Sequence, residues 1–169
     1  YATPVNVPMP ASLKFWINPD IKPYDFNLAE AAQMLDQAGY KVGSDGIRVS
    51  PSDVKMSYKI EVPSNYANLY RAAQIIAGYW KQIGIDATPQ ITDVGTAADE
   101  NASWKFDAMI WTWSAGYTID PDWFLSTLLG SEVHPAPNPG LSDTGFVNAT
   151  YDALYMQQKQ ETDPAKRQK

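Results

Sequence analysis

The sequence predicts an α/β fold in which a mixed, largely parallel sheet is flanked by helices, in a single domain spanning residues 1–169. Segments with the two-residue period of strands alternate with segments of helical period, and this order requires crossover connections between parallel strands. In residues 106–113 the side chains on both faces of the predicted strand are apolar, apart from Asp107 and Thr112. This pattern is typical of a strand in the middle of a sheet. The composition, 44% hydrophobic and 19% charged, is that of a folded protein.

Charge and residue usage argue against several classes of function. The chain has 13 Lys plus Arg and 19 Asp plus Glu, a formal charge of −6, and no basic run, so we expect no nucleic-acid partner. The absence of cysteine excludes disulfides, thiolate catalysis, zinc fingers and iron–sulfur ligation. No apolar run approaches the ~18 residues of a membrane span. No signal peptide is visible, so we expect that segment of a secreted parent protein to lie outside this chain.

The first part of the chain has a clear helix signal. Residues 1–27 contain prolines at 4, 8, 10, 19 and 23 and predict an extended wrapping segment. Asn27 is the predicted N-cap of a helix, with Glu30 placed as in a capping box. Gly39 is the predicted stop of this helix, because glycine adopts the left-handed conformation that ends many helices.

The middle of the chain predicts a strand–helix–strand–helix order. Residues 56–62 alternate apolar and polar side chains, as in a strand. Residues 69–83 carry the apolar face of a long helix, and residues 85–92 form a second strand in which Pro89 favours an edge position or a bulge. Residues 96–102 predict a short helix.

The last part of the chain predicts two further helix starts. Asp120 is the expected N-cap of a helix with Pro121 at its first position. Residues 150–160 form another predicted helix, and residues 163–164 (Asp-Pro) begin a third shortly before the chain ends. We expect the chain to be a fragment that stops inside this helix. The side chains expected to face inward from the 150–160 helix are Tyr151, Leu154 and Tyr155.

The residues after the predicted central strand are the leading ligand candidates. Ligands of open α/β sheets bind beyond the carboxyl ends of the strands, which places residues 113–117 in the ligand position. Trp113 and Tyr117 then form an aromatic platform, with core packing as the alternative. Trp111 lies on the same strand face as Trp113 but deeper, which favours core packing over ligand contact.

Other polar residues allow a chemical and a structural interpretation. Asp120 and Asp122 fit an acid–base pair, but capping at a helix start explains both more simply. His134 is the only histidine, and no triad or metal site can be built around it from the sequence. Asn65 and Tyr66 either cap the long helix or meet polar groups of a ligand.

Five segments in the same order resemble the extracellular solute-binding proteins of the peptide/nickel type, family 5. Residues 24–40, from Tyr-Asp-Phe-Asn-Leu to Gln-Ala-Gly-Tyr, resemble the family's Tyr-Asp-Pro…Ala-Gly-Tyr helix, and Asp45-Gly46 follows where the family has Asp-Gly. Residues 73–86, ending Trp-Lys-Gln-Ile-Gly-Ile-Asp, resemble a family helix that ends Leu-Lys-x-Ile-Gly-Ile. Phe106-Asp107, Trp113 and Asp120-Pro121 resemble the family's Phe-Asp…Trp…Asp-Pro stretch. Residues 144–167 resemble its closing Gly-Tyr-x-Asn…Asp-x-x-Arg pattern.

The resemblance implies one lobe, the second, of a two-lobed periplasmic-binding-protein-like fold, and it points to particular residues. In peptide-binding relatives a Trp after the central strand contacts a ligand side chain, and Trp113 is similar to it. Ser114 and Ala115 match positions whose backbone pairs with the peptide. The Asp that holds the peptide's α-amino group is replaced by Gly116 or Tyr117, depending on the alignment. The loss of a buried salt link favours capped peptides or neutral ligands such as oligosaccharides.

The function implied is the substrate-binding component of an ABC transporter that captures an oligopeptide or similar-sized solute for import. The alternatives are an oligosaccharide receptor of the same family, because Trp111, Trp113 and Tyr117 also fit sugar stacking, or a carbohydrate-acting enzyme using Asp120 and Asp122. Asn101 would lie in the loop before the central strand, where relatives sometimes place ligand contacts. The implied location is extracytoplasmic, either the periplasm or a lipid anchor on the outer face of the cytoplasmic membrane. The implied partners are the first lobe of the same protein and the importer's permease subunits, with no catalytic residue, cofactor or metal.

Overall fold

The computed structural model describes residues 4–5, 7–113, 119–133, 140 and 142–168. Contacts between residues divide the chain into two units. The sheet unit comprises Asp25–Thr112, and the terminal unit comprises Tyr1–Tyr24 together with Trp113–Lys169.

The sheet unit contains helices and strands in the order that the periodicity predicts, with one addition. Its elements are α1 Leu28–Gln37, β1 Lys41–Val42, β2 Arg48–Val49, β3 Ser57–Pro63, a 3-10 turn Ser64–Leu69, α2 Tyr70–Gln82, β4 Asp86–Thr92, α3 Val94–Ala102 and β5 Ala108–Met109. Strands β1 and β2 form an antiparallel hairpin that the sequence did not predict. Each strand has two residues, too few to show an alternation.

The sheet of this unit has the strand order β4-β3-β5, and both pairings are parallel. This confirms a largely parallel sheet flanked by helices, but the central position expected for residues 106–113 is wrong. Within the described residues β3 is central, and β5 pairs with it only over Ala108 and Met109. The ladder starts late because the Asp107 carboxylate, at 3.0 Å, accepts the Lys59 N–H. Pro89 lies in β4 at an edge of the sheet, as expected.

The core of the sheet unit lies between β3 and α2. Ile60 and Val62 of β3 pack with Ala73 of α2, and all three are at most 2% exposed. Burying this apolar area supplies the main driving force for the unit. Partly buried residues complete the cluster: Tyr66, Leu69, Tyr70, Ile76, Ala77, Trp80, Ala87, Ala108 and Ile110. On the other side of β3, the helix α3 covers the buried side chain of Glu61.

The predicted helix signals of the sheet unit are present. Asn27 accepts the Glu30 N–H at 3.0 Å, and its amide lies 3.4 Å from the Glu30 carboxylate, so the two residues of the capping box contact each other. Gly39, the predicted stop, follows α1 with φ of 86°, the left-handed conformation that glycine adopts without strain, and Gly84 follows α2 in the same conformation with φ of 83°.

Arg48 of β2 joins the hairpin to the ends of both long helices. Its side chain is 4% exposed and donates to the carbonyls of Tyr40 at 2.7 Å and Ile83 at 2.6 Å. It also pairs with the Asp36 carboxylate at 2.5 Å. These helix-end carbonyls have no partner within their helices, so a buried guanidinium with several donors satisfies groups that water cannot reach.

The terminal unit is built from short elements. They are a 3-10 helix Ala11–Trp16, α4 Asp122–Ser126, a 3-10 turn Gly130–Glu132, α5 Ala149–Gln160 and α6 Pro164–Arg167. The predicted helix starts are confirmed at α5, and at α6 where Asp163 caps the N-terminus. Helix α4 begins one residue later than predicted, although Asp120 still accepts the Asp122 N–H at 2.9 Å. His134 lies outside the described residues.

Side chains distant in sequence hold the terminal unit together. The Trp16 indole donates to the Ile119 carbonyl at 3.0 Å, and the Arg167 guanidinium lies 4.9 Å from the centre of the Trp16 ring. Tyr155 is 5% exposed and faces inward as predicted, and Tyr151 is half-buried. Leu154 is 57% exposed, so its inward placement was wrong. The two tyrosines therefore help to anchor one side of α5.

Candidate functional site

Trp113 is the described residue of the predicted ligand segment. Its Nε1–H donates to a carboxylate oxygen of Asp143 at 3.0 Å. Its ring meets the ring of Trp123 edge to face, with centroids 6.0 Å apart and an interplanar angle of 71°. The Trp113 side chain is nevertheless 42% exposed. The Trp113 ring is therefore held by two contacts and still exposes a substantial part of its surface to solvent.

The other predicted residues of this segment, Ser114, Ala115, Gly116 and Tyr117, lie outside the described residues. Their proposed contacts with a ligand, and the absence of an acidic residue at 116 and 117, remain predictions from the sequence.

Trp111 follows β5 in the sheet unit, where it contacts Tyr66. The two rings meet edge to face, with centroids 6.2 Å apart and an interplanar angle of 78°, and both residues follow strands at the carboxyl edge of the sheet. This is the edge at which parallel sheets bind ligands. The half-buried Trp111 ring agrees with the core-packing alternative. Capping by Asn65 or Tyr66 was wrong, because neither the 3-10 turn nor α2 has a side-chain cap.

Asn101 lies in helix α3, not in a loop before β5, so that part of the prediction was wrong. Its side chain is only 7% exposed. The helix begins at Val94, two residues before the predicted start, because Asp93 caps its first turn by accepting from the N–H groups of Gly95 and Thr96. Asn101 therefore presents little surface to a ligand.

Glu61 and Glu100 form a buried acidic pair that periodicity did not reveal. Glu61 is 3% exposed and Glu100 is half-buried, and within the described part of the chain one carboxylate oxygen of each is buried without a hydrogen-bond partner. Burial and the neighbouring Glu100 raise the pKa of Glu61 to about 6, while the Thr92 hydroxyl and Lys59 act in the opposite direction. Glu61 is one of the polar positions in the alternation of β3, and it is buried because helices contact both faces of the strand.

Asp120 and Asp122, the alternative acid–base pair, are both engaged in structural contacts. Arg167 donates to the two oxygens of Asp120 at 2.8 and 3.1 Å and lowers the pKa of Asp120. Tyr155 donates its hydroxyl to Asp122 at 2.8 Å, and burial together with Asp122 raises the pKa of Tyr155 to about 12. A general acid in a glycosidase needs a raised pKa, so the shift at Asp120 has the wrong direction for that role.

A parallel sheet with aromatic residues beyond its carboxyl edge is the arrangement of an α/β ligand-binding domain. Residues 1–134 match the family described as bacterial extracellular solute-binding proteins, family 5 Middle, and the chain belongs to this family. Members of this family are binding proteins. Among the described residues, no helix is both long and apolar enough to cross a membrane.

The chain is similar to several characterised relatives. It is 29% identical over 155 residues to heme-binding protein A of Haemophilus influenzae, with 90% of this chain and 25% of that protein covered. It is 29% identical over 164 residues to the oligopeptide-binding protein AppA of Bacillus subtilis, with 92% and 28% covered. The chain thus spans about a quarter of the length of these curated relatives.

Solved structures show the same fold. The structure of AppA in complex with a nonapeptide has a TM-score of 0.77 at 25% identity, and covers 89% of this chain and 29% of that one. A mannohexaose-bound periplasmic oligopeptide-binding protein of Thermotoga maritima has a TM-score of 0.76 at 21% identity, with 86% and 28% covered. These neighbours are periplasmic binding proteins with a two-lobed fold, and the mixed α/β structure expected from the sequence is confirmed.

Proposed function

We propose that this chain forms part of one lobe of an ABC-importer receptor that captures an oligopeptide or a solute of similar size. Membership of family 5 and the 29% identity to an oligopeptide-binding protein support the class of function. The observation that carries the proposal is the exposed, doubly held ring of Trp113, at the position predicted for ligand contact. Both units would belong to this lobe.

The receptor would act by hinge closure and would perform no chemistry. A solute held by the other lobe would be clamped when this lobe closes, which shifts an existing balance between open and closed forms. Its partners would be that first lobe and the permease subunits of the importer. Its location would be the periplasm, or the outer face of the cytoplasmic membrane through a lipid anchor.

The ligand would lack a free α-amino group, or would not use one for binding. This follows from the neutral residues Gly116 and Tyr117 at the position where peptide-binding relatives carry an anchoring Asp. An ammonium group buried without a carboxylate would cost several kcal/mol. An N-blocked peptide is therefore preferred over a free one, and an oligosaccharide is the second candidate because the exposed indole face of Trp113 also suits the apolar face of a sugar.

The test is calorimetry with the full-length product of the gene that encodes this chain. The probes are a nonapeptide with a free N-terminus, the same nonapeptide N-acetylated, and mannohexaose. We expect the acetylated peptide to bind more tightly than the free one and W113A to weaken binding at least ~10-fold, about 1.4 kcal/mol. F146A removes another exposed aromatic ring in the same unit, 41% exposed, and serves as the matched control with unchanged affinity.

Two results would contradict the proposal. The Trp113 platform is wrong if the wild-type protein binds one of the probes and W113A binds that probe equally tightly. The enzyme alternative is favoured instead if mannohexaose is hydrolysed and D122N abolishes hydrolysis without lowering the melting temperature. Mass spectrometry of solutes that co-purify with the full-length protein identifies the natural ligand.

A further inference from the structure

The partner of Trp113 lies far along the chain. Asp143 follows it by 30 residues, and its carboxylate accepts the Trp113 Nε1–H at 3.0 Å. A charged acceptor makes this hydrogen bond stronger than one to a neutral group. Nothing in the local sequence around Trp113 indicates this contact, and Asp143 was not among the predicted site residues.

The backbone next to Asp143 is fixed. Ser142 is completely buried, donates its N–H to the Glu132 carbonyl at 3.0 Å, and forms a β-bridge with Val133. A carboxylate on an anchored backbone can hold its partner in one orientation. The Asp143 carboxylate therefore restrains the orientation of the Trp113 ring and does not simply adapt its own position to that of the ring.

The contact also removes the polar group of Trp113 from ligand recognition. An indole has a single N–H donor and no acceptor, and Asp143 occupies that donor. Trp123 meets the ring edge to face, which restricts it on a second side. What Trp113 leaves open is ring surface alone.

We propose that Asp143 is a positioning residue of the ligand surface, which holds the Trp113 indole so that the ligand meets its ring face and not its N–H. This inference rests on the proposed function, because it assumes that Trp113 contacts a ligand. It specifies the chemistry of that contact: an apolar side chain or the apolar face of a sugar is recognised, and a ligand acceptor aimed at the indole N–H is not.

The first test needs no ligand. The indole N–H signals of the 169-residue chain are recorded by two-dimensional NMR, and the Trp113 signal is assigned with W113F. D143A should move the Trp113 signal upfield in the proton dimension and speed its exchange with water, because the carboxylate acceptor is lost. D143N keeps an acceptor oxygen of the same shape and should restore slow exchange. D20A removes an exposed carboxylate from the same unit and should leave the Trp113 signal unchanged.

The second test measures affinity in the full-length protein with the N-acetylated nonapeptide and mannohexaose. D143A frees the large Trp113 side chain to rotate, so we expect this variant to bind the probes about three- to tenfold more weakly than the wild type. D143N should bind with an affinity close to that of the wild type. The signals of the other indoles confirm that each variant is folded.

Failure of this inference looks different from failure of the proposed function. If W113A weakens binding while D143A changes neither the indole signal nor the affinity, the positioning role of Asp143 is overturned. If D143A alters the Trp113 signal but W113A binds both probes like the wild-type protein, the ligand platform is wrong and this inference, which depends on it, is overturned with it. A D143N variant that behaves like D143A contradicts the hydrogen bond as the cause.

Discussion

The two units of the chain are held together in different ways. In the sheet unit, parallel strands pack through an apolar cluster around Ile60 and Val62, and one buried arginine joins a hairpin to the helix ends. In the terminal unit the elements are short, and individual side-chain contacts join residues far apart, such as Trp16 with Ile119. Apolar burial between regular elements, with one buried polar centre, therefore characterises the first unit, whereas side-chain contacts between distant residues join the short elements of the second.

This difference predicts that the largest loss of stability comes from the buried arginine of the sheet unit. R48M leaves the carbonyls of Tyr40 and Ile83 without a donor in a site that water does not reach. We expect the free energy of unfolding to fall by about 3–4 kcal/mol, measured by urea denaturation. R48K should lose less, because one ammonium can satisfy one helix end but not both.

The matched control for R48M is K55M. Lys55 pairs with Asp45 within the same unit, but its side chain is 59% exposed. Exposed pairs are screened by water, so K55M should leave the urea midpoint unchanged within error. Equal losses from R48M and K55M would show that burial of the arginine does not matter, and would contradict its special role in stabilising the sheet unit.

The sequence predicted the parts of the sheet unit that depend on local chemistry. The capping box at Asn27, the glycine stop at Gly39 and the edge position of Pro89 are all properties of a few adjacent residues, and all are confirmed. The central position of residues 106–113 was wrong because an apolar run does not reveal whether its backbone is paired. The Asp107 side chain, and not a backbone carbonyl of the neighbouring strand, accepts the Lys59 N–H, and the periodicity of the sequence cannot show this.

The terminal unit was less predictable because its decisive contacts are distant in sequence. The starts of α5 and α6 were predicted, and Trp113 was selected from its position after a strand. Asp143 and Arg167 were not selected, since their roles depend on partners 30 and 47 residues away. Leu154 was misplaced because a helical face can be anchored by tyrosine hydroxyls as well as by apolar burial.

A second prediction concerns the acidic pair of the sheet unit, where a substitution should raise the free energy of unfolding and not lower it. Because the pKa of Glu61 is raised from 4.5 to about 6, the folded state binds this proton more tightly than the unfolded state does. Stability should therefore fall as pH rises through that interval and stay reduced above it. E61Q should raise the free energy of unfolding at pH 7.5 by about 2 kcal/mol, with little effect at pH 4.

The control for E61Q is D99N, which removes one negative charge from the exposed surface of α3, next to Glu100. If D99N stabilises the protein as much as E61Q, the effect arises from net charge and not from the buried pair. E100Q should act in the same direction as E61Q, since removing the neighbouring carboxylate returns the pKa of Glu61 towards its ordinary value. A stability profile of the wild-type protein that rises between pH 4.5 and pH 6.5, and keeps the same slope in E61Q, would contradict the assignment.

The smallest expected effect tests the terminal unit. Arg167 pairs with both oxygens of Asp120, but the Asp120 side chain is 45% exposed, so water screens much of the attraction. D120N should lower the free energy of unfolding at pH 7 by about 1 kcal/mol or less.

The pH dependence of this pair should be the reverse of that of Glu61. Arg167 lowers the pKa of Asp120, so the stabilisation is present above the unfolded-state pKa and is lost as pH falls through the folded-state pKa. Wild type and D120N should therefore converge in acid, as measured by urea denaturation from pH 7 to pH 3. A gap that widens in acid would mean that Asp120 is stabilised in its protonated form. That outcome would also restore the raised pKa that an acid catalyst requires at this position.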